Sequence, residues 1–296
     1  MEKTNDENVK LNPWNLNNKL ITEDYIKNFF KTYDIDIEIN DLSLFQRAFV
    51  HKSYIKKEQN ICNGKEVEIE EQPDNCLDLQ PLSYERFEYL GDAILSATIA
   101  SYLFERFPNE EEGFLTRMRT KLVCGDMLGS LGLKMGLSEY VIMSRHVEDR
   151  CNGRTSVKIM EDIFEALIGA LYLDVNYDDE ELEHPSGKLE PYSGYGFHIC
   201  QAYIINVIEK LVDFSDLILH DYNYKDKLMK YFQQNFKEIP KYKEILVEGP
   251  SNDRYFTMCV TKSDESILAY GKERTKKKAE QLASKNALIK LGIIEA

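Results

Sequence analysis

Two acidic segments hold side chains whose types and spacing could bind a hard cation. The first reads Glu85-Arg86-Phe87-Glu88-Tyr89-Leu90-Gly91-Asp92-Ala93, the second Glu161-Asp162-Ile163-Phe164-Glu165-Ala166-Leu167-Ile168-Gly169-Ala170. On a helix, Glu85, Glu88 and Asp92 fall at i, i+3 and i+7 and share one face; Asp162, Glu165 and Gly169 repeat that spacing. An ionised carboxylate buried without a partner costs several kcal/mol, so a cluster inside apolar helices calls for positive charge among its oxygens. Mg2+ suits an oxygen-only pocket because it takes oxygen ligands and keeps several waters. No Cys or His stands at ligand spacing near either segment, which argues against zinc.

The elements that must position these groups follow from periodicity. The spacing predicts a helix over 83–104 with Phe87, Leu90 and Ile94 on its apolar face, and a second around Asp162 with Ile163, Phe164, Leu167 and Ile168 facing the core. Gly91 and Gly169 interrupt them at a cost of roughly 1 kcal/mol each relative to Ala, which predicts close approach of another backbone.

With 296 residues, 43% of them hydrophobic, the chain is long enough for two domains. No apolar run is long enough to span a bilayer, and the start, Met1-Glu2-Lys3-Thr4-Asn5-Asp6, has no apolar signal core. Cys62, Cys76, Cys124, Cys151, Cys200 and Cys259 are scattered without a C-x-x-C pair and read as reduced thiols. The expectation is a soluble, cytoplasmic protein without a membrane partner. Net charge is −14, yet residues 222–294 carry 15 Lys plus Arg against 9 Asp plus Glu, which leaves +6 there and −20 elsewhere. A basic module joined to an acidic body is the asymmetry of a catalytic domain tethered to a polyanion binder.

That basic stretch has an α-β-β-β-α pattern: helix 224–236, strands 245–247, 255–260 and 266–270, and helix 275–291 with Thr275 as N-cap and Gly292 as stop. Lys276, Lys277 and Lys278 crowd the first turn of the last helix, against its dipole, so an anion is expected there, and phosphate is the natural one.

The segment from Glu85 to Leu95 resembles the signature of the ribonuclease III family. Three further blocks agree in order and spacing: Ala48-Phe49-Val50-His51-Lys52-Ser53-Tyr54, Glu112-Gly113-Phe114-Leu115-Thr116-Arg117-Met118-Arg119, and Asp162 to Asp174. The C-terminal layout resembles the double-stranded-RNA-binding domain, whose last helix opens as Thr275-Lys276-Lys277-Lys278-Ala279-Glu280 does here. Two positions depart from it: Met229 stands where that family often has Gln or Glu, and Asn252 where it often has His. Contacts to phosphate are therefore expected to dominate over contacts in the minor groove.

The resemblance implies an all-α ribonuclease III endonuclease domain followed by a small α+β double-stranded-RNA-binding domain. It matches Glu88, Asp92, Asp162 and Glu165 to the family's four metal-binding catalytic carboxylates, with Mg2+ as cofactor and Mn2+ as substitute. Glu85 and Glu112 match positions of the processing centre and rank below those four, and Thr275, Lys276, Lys277 and Lys278 are the expected RNA-binding residues. It further implies a homodimer through the catalytic domain, double-stranded RNA as substrate, and 5′-phosphate and 3′-hydroxyl products with short 3′ overhangs. The alternative is an inactive ribonuclease III fold serving as a structural or duplex-sequestering protein; the presence of all four carboxylates speaks against it. The expected organisation is a polar, disordered stretch over 1–22, the nuclease domain over 23–213, a linker over 214–221 and the RNA-binding domain over 222–294. Acidic insertions at 57–80 and 175–196 are expected to be solvated loops.

Overall fold

The computed structural model describes residues 10–57, 61–62, 65–176, 194–219, 223–250, 254–263 and 265–295. They fall into two compact units, Met1–Phe214 and Ser215–Ala296. In chain order the helices of the first are α1 (Glu23–Thr32), α2 (Leu42–Ala48), α3 (Glu85–Arg106), α4 (Glu112–Leu122), α5 (Gly125–Lys134), α6 (Arg145–Cys151), α7 (Val157–Val175) and α8 (Gly194–Leu211). α9 (Phe214–Leu219) follows, where the sequence predicts a linker.

α7 is the axis of the first unit. Apart from the acids at its groove face and its C-terminal end, its middle is apolar all round, and Ile159, Met160 and the whole run from Asp162 to Leu171 are in the interior. Helices α2, α3, α5 and α8 pack around it. The predicted close approach is present and reciprocal. A Cβ at residue 91 would lie 1.8 Å from the Glu165 carbonyl oxygen, and one at residue 169 would lie 2.3 Å from that of Phe87. Glycine on α5 plays the same part against the other side of α7, where a Cβ at 129 would lie 2.2 Å from the Val157 carbonyl oxygen.

Two expectations need correction. Residues 10–22 are not disordered: Trp14, Asn15, Asn18 and Ile21 are buried, and only 1–9 lie outside the described residues. Nor is the described part of the first acidic insertion a mere solvated loop. After the short antiparallel pair β1 (Ile61–Cys62) and β2 (Lys65–Glu66), the chain returns along the N-terminal stretch. Leu11 N–H donates to Glu68 O at 2.8 Å, Glu70 N–H donates to Leu11 O at 2.9 Å, and the Trp14 indole donates to Glu70 O at 2.8 Å. Trp14, Val50, Tyr54 and Ile142 then form a small core against Ile55, Ile69, Cys76, Leu77 and Leu79. Glu68, Glu70, Glu71, Asp74 and Asp78 are exposed while Ile69, Cys76, Leu77 and Leu79 pack on this core, a division that average polarity conceals. Asn15 and Asn18 each donate a side-chain N–H to Met143 O at 3.0 Å, binding the strap to the body. Of the second insertion, residues 177–193 lie outside the described set. Its ends are joined where Gly196 N–H donates to Asn176 Oδ1 at 3.1 Å.

The second unit has the expected order α10 (Tyr224–Asn235), β3 (Lys241–Glu248), β4 (Tyr255–Thr261), β5 (Ile267–Glu273) and α11 (Lys276–Lys290). The three strands form one antiparallel sheet in the order β3-β4-β5. Leu228, Phe232, Val260, Ala283, Ala287 and Leu288 make its core. β3 starts earlier than the sequence predicts because Lys241 to Glu244 pair with β4 despite their polarity. Among the described residues no helix is long and apolar enough to cross a membrane.

The strap supplies a test. Trp14 is 9% exposed and bonded at its indole, so Trp14→Ala should destabilise the first unit by about 3 kcal/mol. Replacing 66–80 with a Gly/Ser loop should destabilise it likewise. A denaturant melt in which both variants match the parent chain would show the strap to be ornamental.

Candidate active site

The glycine crossing of α3 and α7 sets the carboxylates of the two helices facing one another. One oxygen each from Glu88, Asp162 and Glu165 lie within 4.8 Å of one another. They open onto a groove of about 430 Å³ lined by Glu85, Glu88, Tyr89, Asp92, Val123, Lys158, Glu161 and Glu165. Asp92 is exposed on the groove wall, and its charge bears on Glu165, but it lies outside the convergent trio. Glu85 is on the rim, in an ion pair with Lys52 at 3.2 Å that holds its carboxyl below the usual range. Glu112 accepts a hydrogen bond from Thr116 Oγ1 at 2.8 Å on α4 and is not part of the groove wall.

The charges are managed unequally. Asp162 is 8% exposed; one of its oxygens is hydrogen-bonded and the other has an ion pair alone. Tyr84 Oη donates to Oδ2 at 3.0 Å, and Lys158 Nζ stands 2.7 Å from Oδ1. Burial, with Asp162 beside it, pushes the Tyr84 phenol far above its ordinary value, so Tyr84 remains a donor at neutral pH. Burial works against the Lys158 ammonium, but bonds to Asp162 and Glu161 outweigh it and keep the group charged. Glu165, 7% exposed, receives only the more distant charge of Lys158, which its other neighbours outweigh. Burial, then the charges of Asp92, Glu161 and Glu88, push its carboxyl up to about 8. Glu88 is pushed up by burial and by Asp162.

This arrangement fits a divalent cation. Three convergent oxygens, two of them on buried residues with like charges around them, are a hard-ligand set whose repulsion a cation would relieve. Glu88, Asp162 and Glu165 could hold it, with Asp92 at the edge. Sequence reasoning missed Tyr84, Lys158 and Glu161. The last two precede Asp162 at helical spacings of four and one, a legible signal; Tyr84 reaches Asp162 only through the tertiary fold.

In the second unit, Thr275 caps α11 by accepting from Lys278 N–H at 3.2 Å, as expected. Lys276 is paired with Glu244 of β3 at 2.8 Å and lies over the Phe256 ring, so its charge is partly met within the fold. Lys277 is exposed. Met229 is half-buried on α10, and Asn252 lies outside the described residues.

The family model for the ribonuclease III domain matches residues 85–176, and that for the double-stranded RNA binding motif matches residues 224–291. The chain is 33% identical to the probable ribonuclease 3 of Acanthamoeba polyphaga mimivirus over 96% of its own length, and spans 45% of that longer protein. It is 30% identical to ribonuclease 3 of Bdellovibrio bacteriovorus, covering 83% of this chain and 88% of that one. With ribonuclease 3 of Staphylococcus aureus the identity is 33%, over 87% and 89%. Among solved structures, the nuclease domain of ribonuclease III from Campylobacter jejuni is 24% identical, with a TM-score of 0.45, over 63% of this chain and 98% of that one.

The raised carboxyl of Glu165 yields a pH test in chelator. Between about 5 and 8 the folded chain keeps a proton on Glu165 that the unfolded chain has released, so stability falls as pH rises through that window. Glu165→Gln removes this contribution. Relative to that variant, the parent chain should lose stability steadily from pH 5 to pH 8, read as the difference between two urea-melt series. Parallel series would contradict the burial argument.

Proposed function

The chain belongs to the ribonuclease III family of endoribonucleases acting on double-stranded RNA, and from that premise we propose that it hydrolyses duplex RNA with a divalent cation at the α3–α7 groove. The observation that carries the reading is the convergence of Glu88, Asp162 and Glu165. Those three and Asp92 would hold the cation, Mg2+ by its preference for oxygen, with Mn2+ as substitute. Bound there, the ion supplies Lewis acidity to the scissile phosphate and lowers the pKa of the attacking water. The protein's own part is positioning: Tyr84 fixes the orientation of Asp162, and the glycine crossing sets Glu88 against Glu165. Water attack that releases the 3′ oxygen leaves 5′-phosphate and 3′-hydroxyl ends.

One chain holds one such groove, and cutting both strands of a duplex requires two. A C2 pair of nuclease units supplies the second and would leave staggered 3′ overhangs. Tyr89, 82% exposed beside the groove, is apolar surface that such a pair could cover. Lys276, Lys277 and Lys278 at the start of α11 would meet phosphates.

Glu165→Gln should abolish cleavage of a long duplex in Mg2+ and leave duplex binding nearly intact. The same protein should scatter light at about twice the 34.5 kDa chain mass. Robust cleavage by the pure variant would overturn the site assignment, and an active monomer would overturn the pairing.

For the second unit, Lys276→Ala with Lys277→Ala should weaken binding to all duplex sequences alike. It should also flatten the log-log salt dependence by roughly one to two units, since each neutralised phosphate contributes a little under one. Because Glu244 already engages Lys276, Lys277→Ala alone should account for most of the change. Salt slopes of the double variant matching the parent's would remove these lysines from the interface.

A further inference from the structure

We propose that Glu161 is a positioning residue: it receives the ammonium of Lys158 when a divalent cation takes that ammonium's place on Asp162. The proposal rests on the cation reading of the groove and names side chains outside the four matched carboxylates.

Asp162 has two oxygens, and Tyr84 donates to one of them from a buried position. The other, Oδ1, is 2.7 Å from Lys158 Nζ. Lys158 therefore stands on the Asp162 oxygen that Tyr84 leaves open to a cation. Two positive centres cannot share that oxygen without strong repulsion in a half-buried groove. The ammonium must move, and its stem allows this, because the Lys158 side chain is 66% exposed.

Its destination is already in contact. Lys158 Nζ also lies 3.2 Å from Glu161 Oε2, one helical turn along the same face of α7. Glu161 lines the groove but stays outside the convergent trio, which fits a seat for the lysine better than a further ligand. Its carboxylate sits against the start of α5. A Cβ at residue 125, the first residue of that helix, would lie 2.6 Å from Glu161 Oε2 and 2.8 Å from Oε1. Glycine at 125 makes room for the carboxylate at the positive end of the helix dipole. Glu161 is the more confined of the two, with a side chain 18% exposed against 66% for Lys158. In the absence of a cation Lys158 shields Asp162, and in its presence Lys158 is kept at the groove edge by Glu161.

Calorimetric titration of the full chain with Mn2+ alone, without RNA, tests this by a double-mutant cycle. Glu161→Gln keeps the shape of the side chain and removes the seat, so Mn2+ affinity should fall roughly tenfold; Lys158→Met removes the competitor, so affinity should rise by a similar factor. In the Lys158→Met background, Glu161→Gln should cost less than about threefold, because its effect passes through the lysine. Equal losses in both backgrounds would mean that Glu161 acts on the ion directly, and would overturn the proposal. So would a Lys158→Met chain that binds Mn2+ no more tightly than the parent. A parent chain that takes up no Mn2+ overturns both this inference and the cation reading beneath it, whereas normal uptake with no coupling overturns this one alone.

Discussion

The nuclease unit depends on two helices touching backbone to backbone. At the α3–α7 crossing each helix offers a glycine to the other's carbonyl, Gly91 to Glu165 and Gly169 to Phe87, at separations that no side chain could occupy. Each glycine costs roughly 1 kcal/mol of helix propensity, an expense that persists because the crossing decides where everything else goes. Glu88 lies one turn before Gly91, and Glu165 one turn before Gly169. Pressing the glycines together therefore presses the two carboxylates towards a common point. A methyl group at either position would part the helices and spread the carboxylate oxygens that now converge. Packing and chemistry are the same contact here.

A site built this way is destabilised by its own charges. α7 is buried almost throughout, and three of its interior positions are acids: Asp162 and Glu165 at the groove, and Asp174 at its far end, where the backbone N–H groups of Asn40 and Asp41 donate to it. The fold answers with different devices at different oxygens: a phenol and an ammonium for Asp162, and protonation for Glu165. Glu165 is left the most exposed to its neighbours' charge, which makes it the group that gains most from a bound cation. The strap of residues 10–21 and the folded part of the acidic insertion belong to the same economy of support. They brace the segment from Val50 to Ile55, which carries His51 against the Tyr84 ring and so backs the donor to Asp162.

How much of this was legible depended on whether a signal was local. Glu88, Asp162 and Glu165 were readable because helical spacing and local motif place them, and Gly91 and Gly169 because a glycine inside an apolar helix needs a reason. Thr275 and the α11 boundary followed from capping chemistry. Glu112 shows the limit: its block resembles the family's, yet its side chain bonds along α4 and stays out of the groove wall. Tyr84 was illegible because nothing in its neighbours announces a hydrogen bond to a residue 78 positions away. The strap was misread for a related reason. Its asparagines look like disorder by composition, but Asn15 and Asn18 are bonded to a backbone carbonyl more than a hundred residues further on. Average polarity cannot distinguish a solvated asparagine from one that satisfies a buried backbone carbonyl.

The charge distribution sets a final constraint on how such a chain can handle RNA. A groove lined by Glu85, Glu88, Asp92, Glu161 and Glu165 repels a phosphate backbone, and Lys158 answers only part of that. Beyond about 8 Å at physiological salt such repulsion is screened, so an incoming duplex meets it only at close range. Attraction has to come from elsewhere on the same chain. The +6 carried by residues 222–294 against the −20 of the remainder supplies it, through a separately folded unit. On the proposed reading, affinity would reside mainly in the basic unit and bond cleavage in the other, and a bound cation would make the acidic groove tolerable to the substrate. On that reading a duplex held only by the basic unit would stay bound and uncut without the cation, which is why loss of a carboxylate should separate binding from cleavage.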